Sequence, residues 1–219
     1  MKDILVFTPV YRLEPETVRA IFALEWDGPL SVLLQRDNPV VDGDRRAAGY
    51  QNHLHQYQRG RETFLCGGYD AMLVIESDIV PPPDTLQRLA AMEADVAYGA
   101  YVFRGTNAVN ILERYYAGTG RKARNMGEPL TVRGLWDAAV ETGVVECSGC
   151  GLGCILIRRN VLMETPFEAA RDGGFFDMDW TQAVYQKGYK MMADTGVRCG
   201  HIDTDGRVIW PREVAYAQA

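Results

Sequence analysis

"YDAMLVIESDIVPPPD", residues 69–84, carries an apolar run from Met72 to Ile75 and closes on three prolines, with Glu76, Ser77 and Asp78 between them. A short apolar run bounded by turn residues reads as a buried strand, and proline, which lacks an N–H, ends ladder pairing. The flanking chain alternates in kind. "DILVFTPV" (3–10) and "LSVLLQ" (30–35) read as buried strands, and "EPETVRAIFAL" (14–24) sets Val18, Ile21, Phe22 and Leu24 on one helical stripe with Pro15 in the first turn. "RRAAGYQNHLHQYQRGRETFLCGG" (45–68) reads as a helix with a break at Gly60 and a stop at Gly67-Gly68. "PDTLQRLAAM" (83–92) is a further helix, and "ADVAYGAYVFRG" (94–105) a strand turning at Gly99.

Strand–helix alternation implies an α/β fold with a mostly parallel central sheet flanked by helices. Ligands of such sheets bind at the carboxyl ends of the strands. Glu76 to Asp78 occupies one such end, so the acids face a ligand crevice. In an extended segment, side chains two apart share a face, which points both carboxylates one way and Ser77 the other.

The 219 residues, 47% of them hydrophobic, suit one domain with a sizeable core. Residues 1–105 form the regular half. Residues 106–219 are less regular, with 106–140 a long, partly mobile excursion. "VVECSGCGLGCILIRRNVL" (144–162) returns as strand, glycine bend, strand and short helix. "FFDMDWTQAVYQKGYKMMAD" (175–194) holds a helix from Asp177 to Gly188, and "VRCGHID" (197–203) is strand-like. The apolar run at the N-terminus is too short for a signal peptide, and no stretch reaches the ~20 apolar residues of a membrane span. Five cysteines, an odd count, suggest reduced thiols and a cytoplasmic setting. A net charge of −6 argues against coating nucleic acid as the main task. From Arg104 to Arg133, however, six Arg and Lys stand against only Glu113 and Glu128.

Two oxygen ligands at a crevice suit Mg²⁺ or Mn²⁺, which complete their shells with phosphate oxygens and water. A solvated strand end accounts for an acid pair equally simply. At this point the chain resembles a family. "MLVIESDIVPPPDTLQRL" looks like the Asp-x-Asp segment of GT-A-fold (Rossmann-like) nucleotide-sugar glycosyltransferases, with Glu76 first and Asp78 last. "ILVFTPVYR" resembles their first strand and nucleotide loop, and "FDMDWTQAVYQKGYKMMADTGVRCGHI" their later acidic helix and terminal histidine. Matching on Gly188-Tyr189 puts Asp177 at the second place of the family's Glu-Asp pair and Phe176 where the glutamate belongs.

The resemblance implies a metal-dependent transfer of a sugar, UDP-linked first of all, to an acceptor hydroxyl with inversion. Asp78 and His201 would be metal ligands, with Glu76 acting through water or on the donor's ribose or sugar. Asp177 would be the general base, with Asp179 the alternative and helix capping the bland reading of either. Thr8, Pro9 and Tyr11 would form the first nucleotide loop, with Tyr11 able to stack on a base. Asp37 would meet base or ribose, and Arg36, Arg59 and Arg61 are candidates to neutralise phosphate. Ser77 lies within the same donor segment. His53 and His55 sit in a polar helix and receive no catalytic role.

"CSGCGLGC" (147–154) admits zinc binding by Cys147, Cys150, Cys154 and Cys199, which its spacing fits poorly. Glycine alternation as a phosphate cradle lacks the Rossmann spacing. The family reading makes this the strand entry beside sugar and acceptor, with Gly151 and Trp180 near the acceptor. Arg121, Lys122 and Arg124 would recruit an anionic acceptor: a phosphorylated lipid, a teichoic-type polymer, or nucleic acid carrying a modified base with a hydroxyl. A solvated surface loop explains them as well. A nucleotidyltransferase and a non-catalytic nucleotide-sugar-binding protein are the rival functions.

Overall fold

The apolar run quoted first lies at the centre of the molecule, as β3 (Ala71–Ile75), with every residue fully buried. The structure, a computed structural model, describes residues 1–40, 44–104, 108–112, 129–131, 143–147, 149–170 and 176–211. Beside β3 run β1 (Ile4–Pro9) and, beyond it, β2 (Leu30–Gln35), all parallel. On the other side follow β10 (Cys154–Arg158), β5 (Val96–Ala100), β11 (Met191–Arg198) and the edge strand β8 (Val144–Glu146).

Alternate residues of each strand enter opposite layers. Phe7, Met72 and Val74 pack with Tyr57 and Phe64 of helix α2 (Arg45–Gly67). Ile4, Val6, Leu73 and Ile75 pack with Ile21 of α1 (Pro15–Phe22) and with Leu86 and Leu89 of α3 (Thr85–Ala91). Burial of each large aliphatic or aromatic side chain contributes about 1.5–3 kcal/mol, so a strand covered on both faces reads as an unbroken apolar run.

Among the described residues the sheet is mixed, which corrects the mostly parallel expectation. Three pairings are parallel and three antiparallel, because β10 runs against both β3 and β5 and β8 runs against β11. A fully buried run has no periodicity that reports direction, and β10 is entered from a glycine turn instead of a crossover helix. That turn lies at the carboxyl end of β3, since Cys154 opposes Ile75.

The glycine expectations also change. α2 is continuous through Gly60, where a Cβ would stand 2.6 Å from the Phe7 ring. Gly99 stays within β5, where a Cβ would meet Cys154 Sγ at 2.8 Å. Gly68, with φ at +76°, ends α2 in the left-handed conformation as read.

Two small sheets complete the site end. β4 (Ile79–Val80) pairs with β12 (Gly200–Ile202), which pairs with β13 (Val208–Ile209). β6 (Ala108–Leu112) lies between β7 (Pro129–Thr131) and β9 (Gly149–Cys150). Buried Asn110 fastens β6 to the end of β5: its Oδ1 accepts from Tyr101 N at 2.9 Å and its Nδ2 donates to Gly99 O at 3.0 Å. Helices α4 (Arg159–Glu164) and α5 (Asp177–Gln186) follow β10 and precede β11. No helix among the described residues is long and apolar enough to cross a membrane.

Candidate functional site

β1 has β2 on one side and β3 on the other, so the chain reverses its direction of winding there. In open α/β sheets the crevice at such a switch point, outside the carboxyl ends, is where ligands bind. Glu76 follows β3 directly, and its N–H donates to Gly153 O at 3.0 Å, tying it to the glycine turn. Gly151 and Gly153 are glycine because the Tyr101 side chain lies against them: a Cβ would come within 2.3 Å and 2.9 Å of its atoms.

Residues 76–79 form a turn, closed by Ile79 N donating to Glu76 O at 3.0 Å. The extended-segment expectation therefore fails, and the two acids engage different groups. Glu76 Oε1 accepts from Tyr57 Oη at 3.1 Å and stands 3.2 Å from His53 Nε2. Asp78 Oδ2 accepts from Arg104 Nη2 and lies 3.8 Å from His201 Nε2. Ser77 is buried between them, its carbonyl accepting from Glu14 N at 3.3 Å.

His201 reaches Asp78 through strand pairing. His201 opposes Ile79 across β4 and β12, and Ile202 N donates to Asp78 O at 2.8 Å. His201 Nδ1 donates to Val102 O at 2.7 Å, which leaves Nε2 as the ring nitrogen facing Asp78. Burial works against the charged form of Asp78, but His201 and Arg104 outweigh it and hold its pKa below the ordinary carboxylate value. Asp78 Oδ1 is buried without a hydrogen-bond partner.

A carboxylate with one unpartnered oxygen, next to an imidazole nitrogen, fits a divalent cation that takes its remaining ligands from phosphate and water. Glu76 does not join them: no group of three His, Cys, Asp or Glu side chains arranged to hold a metal occurs among the described residues.

α5 brings Asp177 to the same end. Phe176, just before it, packs at 5.0 Å from the Tyr57 ring and 5.5 Å from the His53 ring. Burial lowers the basicity of His53, but Glu76, then Asp177 and Asp78, outweigh it, so its pKa is raised. Burial first, and then Glu76, push the Tyr57 phenol well above its ordinary range, which keeps it a donor. Asp177 Oδ1 accepts from its own helix, from Met178 N at 2.8 Å. Asp179 lies in the same first turn.

Several other residues stand apart from this cluster. Thr8 and Pro9 are buried within β1 and not in a loop, while Tyr11 beyond them is 70% exposed. Arg36 and Asp37 are exposed past the end of β2, with Asp37 Oδ2 at 2.8 Å from His55 Nε2. Arg59 pairs with Glu62 on the outer face of α2. Arg61 donates to Leu162 O at 2.6 Å and Met163 O at 3.2 Å, two turns of α2 beyond His53, so it closes the end of α4 and does not reach the acids. Trp180 is a core residue, its indole N–H donating to Thr165 O at 3.0 Å. Arg121, Lys122 and Arg124 lie outside the described residues, as does the Cys150 side chain. Cys147 packs in the α2 layer and Cys154 and Cys199 in the opposite one, so the sheet separates Cys147 from the other two.

Three participants escaped the sequence reading: His53, Tyr57 and Arg104. The first two share a signal with Gly60 and Phe64, recurring every three or four residues as one face of α2. Arg104 was read only as the first residue of the basic segment, and nothing local in "YVFRG" points it toward Asp78.

No family model and no curated protein sequence matches the chain. Among solved structures, A197 from STIV superposes with a TM-score of 0.59 at 19% identity, covering 95% of this chain and 93% of that one. The two share a fold. A glycosyltransferase involved in the glycosylation of the major capsid of PBCV-1 aligns at a TM-score of 0.36 and 10% identity, over 74% of this chain and 63% of that one, too distant to carry an argument.

Proposed function

We propose that this chain is a glycosyltransferase that moves a sugar from a nucleotide-diphosphate donor to an acceptor hydroxyl, with inversion. One observation carries the reading. Asp78, His201 and Asp177 come from sequence segments that resemble the same enzyme family, and these segments meet beyond the carboxyl end of β3.

Asp78 and His201 would hold Mn²⁺ or Mg²⁺, which when bound neutralises the charge developing on the departing diphosphate. Asp177 takes the proton of the acceptor hydroxyl as its oxygen bonds to the anomeric carbon and the bond from that carbon to the diphosphate oxygen breaks. Tyr57 and His53 fix Glu76, which contacts the donor's ribose or sugar. Tyr11 and Asp37 flank the nucleotide. The basic 106–140 stretch supplies the acceptor side, for which a phosphate-rich acceptor predicts affinity that falls steeply with salt.

The test is product analysis after incubation with UDP-glucose and Mn²⁺, preceded by a thermal-shift panel of UDP-, GDP-, dTDP- and CMP-sugars with Mn²⁺ or EDTA. A nucleoside diphosphate product supports the reading. Pyrophosphate released from a nucleoside triphosphate and sugar phosphate identifies a nucleotidyltransferase. Binding without turnover identifies a binding protein, to which Phe176 in place of the family's glutamate would then be related.

A further inference from the structure

Arg104 stands in the crevice without any part in the reaction described above. It follows β5, its Nε donates to Ile202 O at 2.9 Å, and its Nη2 donates to Asp78 Oδ2. A largely buried carboxylate needs a cation, and Arg104 supplies one. The pairing is one-ended, however. A guanidinium and a carboxylate satisfy each other best as a fork, with two parallel bonds. Here Nε is spent on a backbone carbonyl, and Asp78 Oδ1 is left buried without a partner.

We propose that Arg104 is a phosphate-binding residue of this site, one that pairs with Asp78 and turns to a diphosphate when a divalent cation takes its place on the carboxylate. The proposal rests on the donor-and-metal reading above. A divalent cation held by Asp78 and His201 would bring twice the charge of the guanidinium to the carboxylate. Arg104 then loses its reason to stay on Asp78. Its Nε bond to Ile202, the residue after His201, keeps it within the crevice. Its side chain is 39% exposed, so the freed guanidinium reaches ligand without crossing the core. The planar donor fork suits two oxygens of a diphosphate, beside a cation that already draws that group in.

Two binding measurements with opposite expected signs test this. Mn²⁺ alone is titrated into wild type, Arg104→Gln and Arg104→Lys, with free Mn²⁺ read by electron paramagnetic resonance. UDP is then titrated at saturating Mn²⁺ by calorimetry. Arg104→Gln removes a competitor for Asp78, so Mn²⁺ should bind on the order of tenfold tighter, while UDP binds on the order of tenfold weaker, the size of one charge-assisted hydrogen bond. Arg104→Lys, which keeps the charge, should recover most of the UDP affinity. Weakening of both ligands in Arg104→Gln would mark a merely structural residue and overturn the proposal. Tighter Mn²⁺ with unchanged UDP would overturn its phosphate role. Wild type that binds both ligands, with Arg104→Gln identical to it, overturns this inference alone. Wild type that binds neither Mn²⁺ nor UDP overturns it together with the donor reading.

Discussion

Asp78 and His201 are set side by side by the backbone: His201 opposes Ile79 across two short strands, and Ile202 N donates to the Asp78 carbonyl at 2.8 Å. The side chains themselves stand 3.8 Å apart, too far for a hydrogen bond. Neither group is thus consumed by the other, which is what the proposed metal site asks of them.

His201→Gln should therefore leave the β4–β12 pairing intact and still weaken Mn²⁺ binding. A loss of at least roughly tenfold to hundredfold is expected, the range typical of altering a mere outer-shell partner of a metal ligand. The measurement is Mn²⁺ titration beside far-ultraviolet circular dichroism. Unchanged Mn²⁺ affinity in a folded variant would remove His201 from the site.

Asp177→Asn separates binding from chemistry. It keeps the shape of the side chain and an oxygen for Met178 N, but it cannot take a proton. UDP affinity should change little, while turnover of the nucleotide sugar falls ~10²-fold or more. Full activity in Asp177→Asn together with a dead Asp179→Asn would move the base by two positions.

The His53–Glu76 pair makes a pH prediction. The pKa of His53 is raised in the folded chain, chiefly by Glu76 acting against burial. A raised histidine pKa contributes stability that is fully present below the unfolded value of about 6.5 and is lost as pH rises through the folded value. The difference in melting temperature between wild type and His53→Gln should be largest near pH ~6 and shrink on the alkaline side of neutrality. A difference that grows with pH would show that His53 is neutral in the fold.

What the sequence made legible follows from what patterns encode. β1, β3 and β5 announced themselves, because burial on both faces demands an unbroken apolar run, whereas β2, read as buried, is a half-buried edge strand. The direction of β10 did not, since Cys154 to Arg158 reads the same whichever way it pairs. Asp78 and His201 were visible as residue types in a family-like order. Glu76 turning to α2 was not, because the turn closed by Ile79 N is a tertiary outcome that side-chain alternation cannot report. His53 and Tyr57 were passed over as parts of a polar helix. Only the sheet beneath α2 reveals which of its faces is inward.

Two glycines of α2 carry that lesson into an experiment with opposite signs. Alanine is favoured over glycine in a helix by about 1 kcal/mol, so on propensity alone both substitutions stabilise. At Gly49 a Cβ meets nothing within 4 Å, and Gly49→Ala should raise stability by roughly that amount. At Gly60 a Cβ would stand 2.6 Å from Phe7 Cε2. Phe7 is fully buried, and its ring packs edge-on against Tyr57 at 5.3 Å, so it cannot swing aside without disturbing the group that holds Glu76. Overpacking of a core costs about 1–3 kcal/mol, which matches or exceeds the propensity gain. Gly60→Ala should thus lower the melting temperature where Gly49→Ala raises it, and UDP affinity should fall only in the first. Equal stabilisation by both, measured by thermal unfolding, would mean that α2 does not press on β1 as described.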